Sequence, residues 1–186
     1  KGVHINQIIK LQPLTEKDEY AIKIANQNKV KFFAISFVNR SSDIDRVKKI
    51  ANNKAFIISK IETKSAVNEL KSITSKSNAL LIDRGDLSRY IPIEEIPPAQ
   101  ERIIKIGKSK DVPVYVATNL LETMIKENEP TRAESQDIFS TLKQGASGLV
   151  LAAETAIGIN PVGCVKFLKK SISVYRKFKN KKFKKK

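Results

Sequence analysis

The chain has 186 residues, of which 35 are Lys or Arg and 19 are Asp or Glu, so its net charge is +16, and 41% of its residues are hydrophobic. This balance is typical of a globular chain with one core, and it excludes general intrinsic disorder. A single cysteine and a single histidine exclude an internal disulfide and any zinc site built from paired cysteines or clustered histidines.

The first residue is Lys1 and not Met, and the opening segment resembles sequence from the middle of a protein. We therefore interpret the chain as a piece of a longer protein. Its apolar runs stop far short of the ~20 residues that a membrane helix needs. We expect no membrane span and, given the single cysteine, a cytoplasmic location.

Short β-branched and aromatic runs alternate along the chain with longer amphipathic stretches. This is the pattern of βα units that form a parallel sheet. Because each run is nearly continuous in apolar residues, we expect the strands to be buried on both faces. The five predicted strands are 31–38, 55–61, 79–83, 112–118 and 148–153.

Helix signals fill the gaps between these strands. Thr15 and Asp18 have the spacing of a capping box, which predicts a helix before the first strand. The other predicted helix signals are Ser42 as the cap of 43–52, Pro98 opening 99–108, a helix 134–143 that stops at Gly145, and Asn160 with Pro161 opening the last helix.

The end of the chain is strongly basic. Residues 176–186 carry eight positive charges in eleven positions. Like charges at this density repel one another and stay solvated, so we predict a globular part over 1–175 and a lysine-rich tail over 176–186. Binding to nucleic acid or anionic lipid, helped by Phe178 and Phe183, is one interpretation. A solubilising terminus is favoured because the rest of the chain has no RNA-binding signature.

Two parallel folds fit the βα repeat, an open doubly wound sheet and a (β/α)8 barrel. Polar residues follow the predicted strands, as in barrel enzymes, and neither glycine-rich phosphate motif occurs. We therefore predict an α/β fold, a partial (β/α)8 TIM barrel with five parallel strands. Its two open edges would make the isolated chain aggregate or require a partner with the other strands. The polar positions are Ser36, Lys60 with Glu62, Asp83 to Asp86, Thr118 with Asn119, and Glu154 with Thr155.

Residues at these strand ends predict a site for an anionic substrate. Glu62 and Asp86 offer the oxygen ligands that suit Mg²⁺ or Mn²⁺. Lys60 precedes Glu62 by two residues, so alternation places both side chains on one face, and a cation beside a metal is what phosphoryl transfer uses. Gly85 allows backbone N–H groups to approach an anion, and Thr118 adds a hydroxyl. Each residue alone also has a structural interpretation, as an ion pair, a helix cap or a strand position.

The sequence resembles the pyruvate kinase family up to about Tyr175. Lys-Ile-Glu, Arg-Gly-Asp-Leu and Pro-Thr-Arg-Ala-Glu are the most specific elements. The resemblance implies the later half of the catalytic barrel, without the lid domain, the early barrel strands or the C-terminal regulatory domain. The matching segments are Ser36-Phe37-Val38, Ile58-Ser59-Lys60-Ile61-Glu62, Arg84-Gly85-Asp86-Leu87, Ile91-Pro92, Glu94-Glu95, Ala99-Gln100, Ala117-Thr118, Leu121-Glu122, Pro130-Thr131-Arg132-Ala133-Glu134 and Glu154-Thr155-Ala156.

The resemblance implies a glycolytic transferase that moves the phosphoryl group of phosphoenolpyruvate to ADP, giving pyruvate and ATP. In it Glu62 and Asp86 hold Mg²⁺, and Lys60 is the catalytic residue that stabilises the phosphoryl group and the enolate. Gly85, Asp86 and Thr118 bind the pyruvate part. Family members usually need K⁺ as well, and we expect the intact protein to be a homo-oligomer.

Some residues depart from the family pattern near this site. Asp83 stands where the family usually has Ala, Ser88 where it has Gly, and Ala152 with Ala153 where it has Ser and Gly. Asp83 adds a negative charge beside the metal site, and Ala152 removes a hydroxyl. These changes predict a divergent pyruvate kinase or a pyruvate kinase-like protein.

Two other functions are alternatives. A Mg²⁺-dependent aldolase acting on pyruvate or another 2-oxo acid would use similar ligands, but it leaves Lys60 and the Pro-Thr-Arg-Ala-Glu segment unexplained. A degenerate, non-catalytic barrel could bind anionic surfaces through its basic tail.

Overall fold

A computed structural model describes residues 14–53 and 55–183 of the chain. Its five strands form one parallel sheet, and helices connect them, which confirms the predicted α/β fold and partial barrel. The strands are shorter than several of the predicted apolar runs because residues at the run ends turn into loops. They are β1 (Phe32–Ile35), β2 (Phe56–Ile61), β3 (Ala79–Asp83), β4 (Val114–Ala117) and β5 (Gly148–Val150).

The helices lie before, between and after these strands. They are α1 (Glu16–Gln27), α2 (Ser41–Ile50), α3 (Lys64–Asn68), α4 (Leu70–Lys76), α5 (Arg84–Leu87), α6 (Ile96–Ser109), α7 (Arg132–Gln144), α8 (Ala153–Ala156) and α9 (Pro161–Phe183), with 3-10 turns η1 (Ile93–Glu95) and η2 (Glu122–Ile125).

The strand order in the sheet is the order along the chain, β1-β2-β3-β4-β5, and every pairing is parallel. The register sets Lys60 opposite Leu81 and Asp83 opposite Ala117. Parallel strands end at the same edge, so polar residues that are far apart in sequence meet there. Within the described residues β1 and β5 each pair on one side only, and the sheet is not closed into a barrel.

Apolar side chains form two buried clusters. The larger one lies between the sheet and its covering helices, with Ile57 and Ile82 from the sheet against Ile44 and Ile103 from the helices, all fully buried. The smaller one joins η2, α7 and α9 through Met124, and it includes the buried thiol of Cys164. These two clusters fix the strand ends against their helices.

Not all of the strands are buried on both faces, which differs from the prediction. Phe32 on β1 is 66% exposed and rests on the ring of Phe56, with 5.1 Å between ring centroids. On β2 burial alternates, since Ile57, Ser59 and Ile61 are buried while the residues between them are only partly buried. All three residues of β5 are only partly buried as well. The prediction of two-sided burial is therefore wrong for β1, β2 and β5.

Several helix signals are confirmed. Thr15 and Asp18 form a capping box at α1, with Asp18 N donating to Thr15 Oγ1 at 3.2 Å and Thr15 N donating to Asp18 Oδ2 at 2.9 Å. Gly145 ends α7 with a left-handed φ of 107°, which glycine adopts without strain. Asn160 caps α9, because its Oδ1 accepts from Gly163 N at 2.9 Å.

Three predicted helix starts are wrong, and the first of them is that of α7, which begins at Arg132 and not at 134. Ser42 lies inside α2, whose N-cap is Arg40. Asp43, at the third position of the helix, reaches back, and its Oδ2 accepts from Arg40 N and Asn39 N at 3.0 Å each. Helix α6 begins at Ile96, so Pro98 occupies its first turn rather than preceding it. Proline is tolerated there because the first N–H groups of a helix have no partner within it.

Helix α9 continues past the predicted boundary between a globular part and a tail at 175/176. Its residue Phe178 packs edge-on against Phe139 of α7, with 5.4 Å between ring centroids, and Tyr175 makes a similar contact at 5.7 Å. The start of the basic segment is therefore helical and joined to α7, whereas Phe183 has no described side chain and residues 184–186 lie outside the described residues.

No helix among the described parts of the chain is both long and apolar enough to cross a membrane.

Candidate active site

The carboxyl ends of β2 and β3 bring one lysine against two carboxylates. Lys60 Nζ lies 2.6 Å from Glu62 Oε1 and 3.2 Å from Asp83 Oδ2. Lys60 and Glu62 therefore meet as their spacing along β2 predicted. Burial lowers the pKa of Lys60, but the hydrogen bonds and charges of the two carboxylates outweigh it, so the pKa lies above the ordinary lysine value of 10.5. Lys60 is a permanent cation at neutral pH.

Glu62 is completely buried and is held from two sides. Its Oε2 accepts a hydrogen bond of 2.5 Å from the backbone N–H of Phe37, just after β1. Phe37 has a left-handed φ of 53°, which is uncommon for a bulky residue and tends to occur at functional sites. The sequence did not indicate this contact, since no local pattern links Phe37 to a carboxylate 25 residues away.

Three carboxylates converge at this edge of the sheet. One oxygen from each of Glu62, Asp83 and Asp86 lies within 4.8 Å of the others. Sequence reasoning named Glu62 and Asp86 as ligands and treated Asp83 only as an added charge. Asp83 precedes the Arg-Gly-Asp-Leu segment directly, and its position at a strand end was the signal that would have placed its carboxylate in this cluster.

These carboxylates fit a divalent metal such as Mg²⁺ or Mn²⁺. Glu62 Oε1 is buried, and its partner is the ammonium of Lys60 at 2.6 Å. Three carboxylates share this edge with that one lysine, and a hard cation would neutralise the excess negative charge. Oxygen donors at this spacing are the set that these metals prefer.

Asp86 and Gly85 lie in α5, a short helix at the end of β3. Asp83 caps this helix, but its Oδ1 accepts from Asp86 N over a long 3.4 Å. The carboxylate of Asp86 lies 3.3 Å from Arg89 Nη1. Gly85 N donates to Thr118 Oγ1 at 2.8 Å. The N–H of Gly85, which the sequence predicted to bind an anionic ligand, is thus hydrogen-bonded to Thr118 in this structure.

Thr118 and Asn119 follow β4 in a strained conformation. Their φ angles are 67° and 53°, which are outliers for a β-branched residue above all. Thr118 Oγ1 lies 2.6 Å from Ala117 O and 3.3 Å from Asp83 Oδ1, so the hydroxyl has two acceptors for one proton. The strain turns this hydroxyl toward the carboxylate cluster.

Arg84 clamps that strained segment. Its guanidinium donates to Thr118 O at 2.7 and 3.1 Å and to Asn119 O at 3.0 Å, and it pairs with Asp137 of α7 at 2.7 Å. The side chain is 10% exposed. A planar guanidinium suits several acceptors at once, which a lysine ammonium does not. Sequence reasoning quoted Arg84 only as part of a motif and missed this role.

A cavity of about 190 Å³ adjoins the cluster at the ends of β3, β4 and β5, and Gly85, Thr118, Ala152 and Glu154 are among its lining residues. Glu154 is buried and structural, because its two oxygens accept from Leu121 N at 3.2 Å and Ala152 N at 2.9 Å. The structure brings together the five predicted site residues, which are Lys60, Glu62, Gly85, Asp86 and Thr118. Ala152, which stands where the family usually has Ser, lies on the wall of the cavity.

Comparison with known proteins matches this architecture. The family model described as "Pyruvate kinase, barrel domain" matches residues 1–165. The chain is 41% identical over 174 residues to a pyruvate kinase of Thermotoga maritima, covering 91% of this chain and 37% of that protein. It is 42% identical over 161 residues to "Pyruvate kinase isozyme G, chloroplastic" of Nicotiana tabacum, covering 85% and 29%.

A pyruvate kinase of Borreliella burgdorferi is 38% identical over 164 residues, which are 86% of this chain and 34% of that protein. The chain thus spans about a third of the length of these curated relatives.

Proposed function

Because the chain belongs to the pyruvate kinase family, we propose that it forms the later half of a catalytic barrel that transfers the phosphoryl group of phosphoenolpyruvate to ADP, giving pyruvate and ATP. The observation that carries the proposal is the position of Lys60, 2.6 Å from the buried Glu62, at the strand edge that also holds Asp86 and Thr118. This chain alone is not expected to be active, because it corresponds to about a third of its relatives.

Lys60 supplies a fixed positive charge. Its ammonium stays protonated at neutral pH because its pKa is raised, and its carboxylate partners hold it in place before substrate arrives. Negative charge on the bridging oxygen grows as the phosphoryl group leaves and the enolate forms. An ammonium already oriented toward that oxygen stabilises the transition state without reorganisation.

Glu62 and Asp86 are proposed to hold Mg²⁺. The N–H of Phe37 fixes one oxygen of Glu62, so the other oxygen keeps its direction. When bound, the metal would polarise the substrate's phosphoryl and enolate oxygens as a Lewis acid. Thr118 and the backbone at Gly85 and Asp86 are proposed to orient the pyruvate part, with the Arg84 clamp holding the hydroxyl in place.

Further parts of the proposal concern the intact protein. We expect ATP and ADP as its nucleotides, a homo-oligomeric assembly and a place in glycolysis, as the resemblance implies. A requirement for K⁺ is also proposed, as the resemblance implies. A cytosolic compartment agrees with the single, buried Cys164.

The test is a coupled pyruvate-forming assay on the longest natural form of the polypeptide, with phosphoenolpyruvate, ADP and Mg²⁺, with and without K⁺. Lys60→Met and Glu62→Ala should each lower turnover by at least ~100-fold. Asp45→Asn changes one charge in an exposed pair with Lys76 and serves as the control that keeps full activity. Turnover by Lys60→Met within tenfold of the unchanged protein would refute the role of Lys60.

A further inference from the structure

The carboxylate of Asp83 occupies the part of the site that the proposed function gives to the substrate. Its Oδ2 lies 3.2 Å from Lys60 Nζ. Its Oδ1 lies 3.3 Å from Thr118 Oγ1 and 3.4 Å from Asp86 N. An ammonium, a hydroxyl and a backbone N–H therefore surround one carboxylate, and all three belong to residues proposed to hold the anionic ligand.

These contacts are not explained by the needs of the fold. Lys60 already has a closer partner in Glu62, at 2.6 Å, so it does not need a second carboxylate to be neutralised. The helix that Asp83 caps has only four residues, and the capping hydrogen bond from Asp86 N is long and weak, at 3.4 Å. The Asp83 side chain is 13% exposed, and its contact Thr118 lines the cavity at this edge of the sheet.

A carboxylate of a ligand would need the same donors. Each donor that Asp83 uses is withdrawn from the ligand, and the ligand's charge would stand next to a like charge that is only partly exposed to water. Like charges at such short range disfavour each other strongly in a partly buried site. A site can reject a ligand by such repulsion as effectively as it selects one by attraction.

We propose that Asp83 is an internal occupant of the subsite for the substrate's carboxylate, and that it determines specificity by competing with carboxylate ligands. This inference rests on the proposed function. A 2-oxo acid or phosphoenolpyruvate must displace the Asp83 carboxylate from Lys60 and Thr118 to bind. The protein therefore binds such ligands more weakly than the same site would with an uncharged residue at this position.

The test is calorimetric titration with oxalate, a planar dianion shaped like the enolate of pyruvate, at saturating Mg²⁺. The proteins are the longest natural form of the polypeptide, Asp83→Asn, which keeps the shape, and Asp83→Ala, which also empties the space. We expect both variants to bind oxalate about 10- to 100-fold more tightly. The control, Asp45→Asn, removes the same charge on the exposed surface of α2 and should leave oxalate affinity unchanged.

Steady-state kinetics provide a second readout. Asp83→Asn should lower the KM for phosphoenolpyruvate and leave the KM for ADP unchanged, since the contacts of Asp83 with Lys60 and Thr118 involve groups assigned to phosphoenolpyruvate. Oxalate affinity that is equal or weaker in both variants would overturn the inference while the proposed function stands. If folded wild-type and variant proteins bind Mg²⁺ but none binds oxalate, the proposed function itself fails and takes the role of Asp83 with it.

Discussion

Replacing Arg84 with Ala should both destabilise the protein and impair its substrate site. The guanidinium makes three hydrogen bonds to the carbonyls of Thr118 and Asn119 and one ion pair with Asp137. A hydrogen bond to a charged group contributes about 1.5–3 kcal/mol, but the freed carbonyls regain water. The left-handed Thr118 stores about 1–3 kcal/mol of strain that would relax. We therefore expect a net loss of about 2–4 kcal/mol in the free energy of unfolding.

The assay combines urea denaturation with the pyruvate-forming reaction in the longest natural form of the polypeptide. Once Thr118 relaxes, its hydroxyl leaves the cluster, so the KM for phosphoenolpyruvate should rise about tenfold or more. Arg84→Lys keeps the charge but not the planar guanidinium. Its stability and its KM for phosphoenolpyruvate should lie between those of the unchanged protein and those of Arg84→Ala. Lys76→Ala, which breaks the exposed pair with Asp45, is the control and should cost less than about 1 kcal/mol.

A loss below about 1 kcal/mol in Arg84→Ala, together with an unchanged KM for phosphoenolpyruvate, would refute the clamp. Loss of stability with an unchanged KM would limit Arg84 to a structural role. Only a change in both the free energy of unfolding and the KM for phosphoenolpyruvate would support the conclusion that Arg84 holds Thr118 in position.

Four further predictions concern other parts of the molecule. Lys60→Met should abolish turnover while circular dichroism stays unchanged, and a partly unfolded variant would contradict this. Because the pKa of Lys60 is raised, its ion pairs stabilise the fold fully below pH ~10.5 and lose that contribution only as the pH rises through the folded-state pKa. The free energy of unfolding measured from pH 7 to 11 should therefore fall only at the upper end of this range. Gly107→Ala should destabilise by about 1–3 kcal/mol in urea, since a Cβ there would lie 2.3 Å from Val114 Cγ2; stabilisation, as at an exposed helix site, would disprove the overlap. Deleting 177–186 should lower thermal stability, because it removes the edge-on contact of Phe178 with α7. Mg²⁺-dependent ligand binding should stay intact, and its loss would show that the basic segment contributes to the site.

The sequence was most informative where the chemistry is local. Alternation along β2 predicted that Lys60 and Glu62 share a face, and Thr15 and Gly145 marked helix ends through their own backbone bonds. Ser42 misled because α2 already begins at Ser41, with Arg40 as its N-cap, and Asp43 inside the first turn accepts from the N–H groups of Asn39 and Arg40. Ser and Asp both favour the start of a helix, so their presence at 41–43 does not decide at which residue the helix begins.

The contacts at the site that the sequence did not indicate are mostly long-range. Arg84 reaches carbonyls 34 and 35 residues away, and Phe37 reaches Glu62 across 25 residues. Asp83 meets Lys60 only because the register sets β2 beside β3 at this height. Left-handed φ angles at Phe37 and Thr118 are equally invisible in sequence, since neither residue type favours them.

The order of the sheet has a consequence for how the site is assembled during synthesis. Each strand pairs with the strand that precedes it in the chain, so every pairing can form as soon as the next βα unit leaves the ribosome. The Phe37–Glu62 bond can form once β2 has joined β1, and Asp83 can reach Lys60 when β3 follows. Thr118 arrives one unit later and completes the cluster. Among the described residues, the carboxylates of this cluster therefore acquire their partners stepwise in chain order, whereas Arg84 gains its own partners only after β4 and α7 have been made.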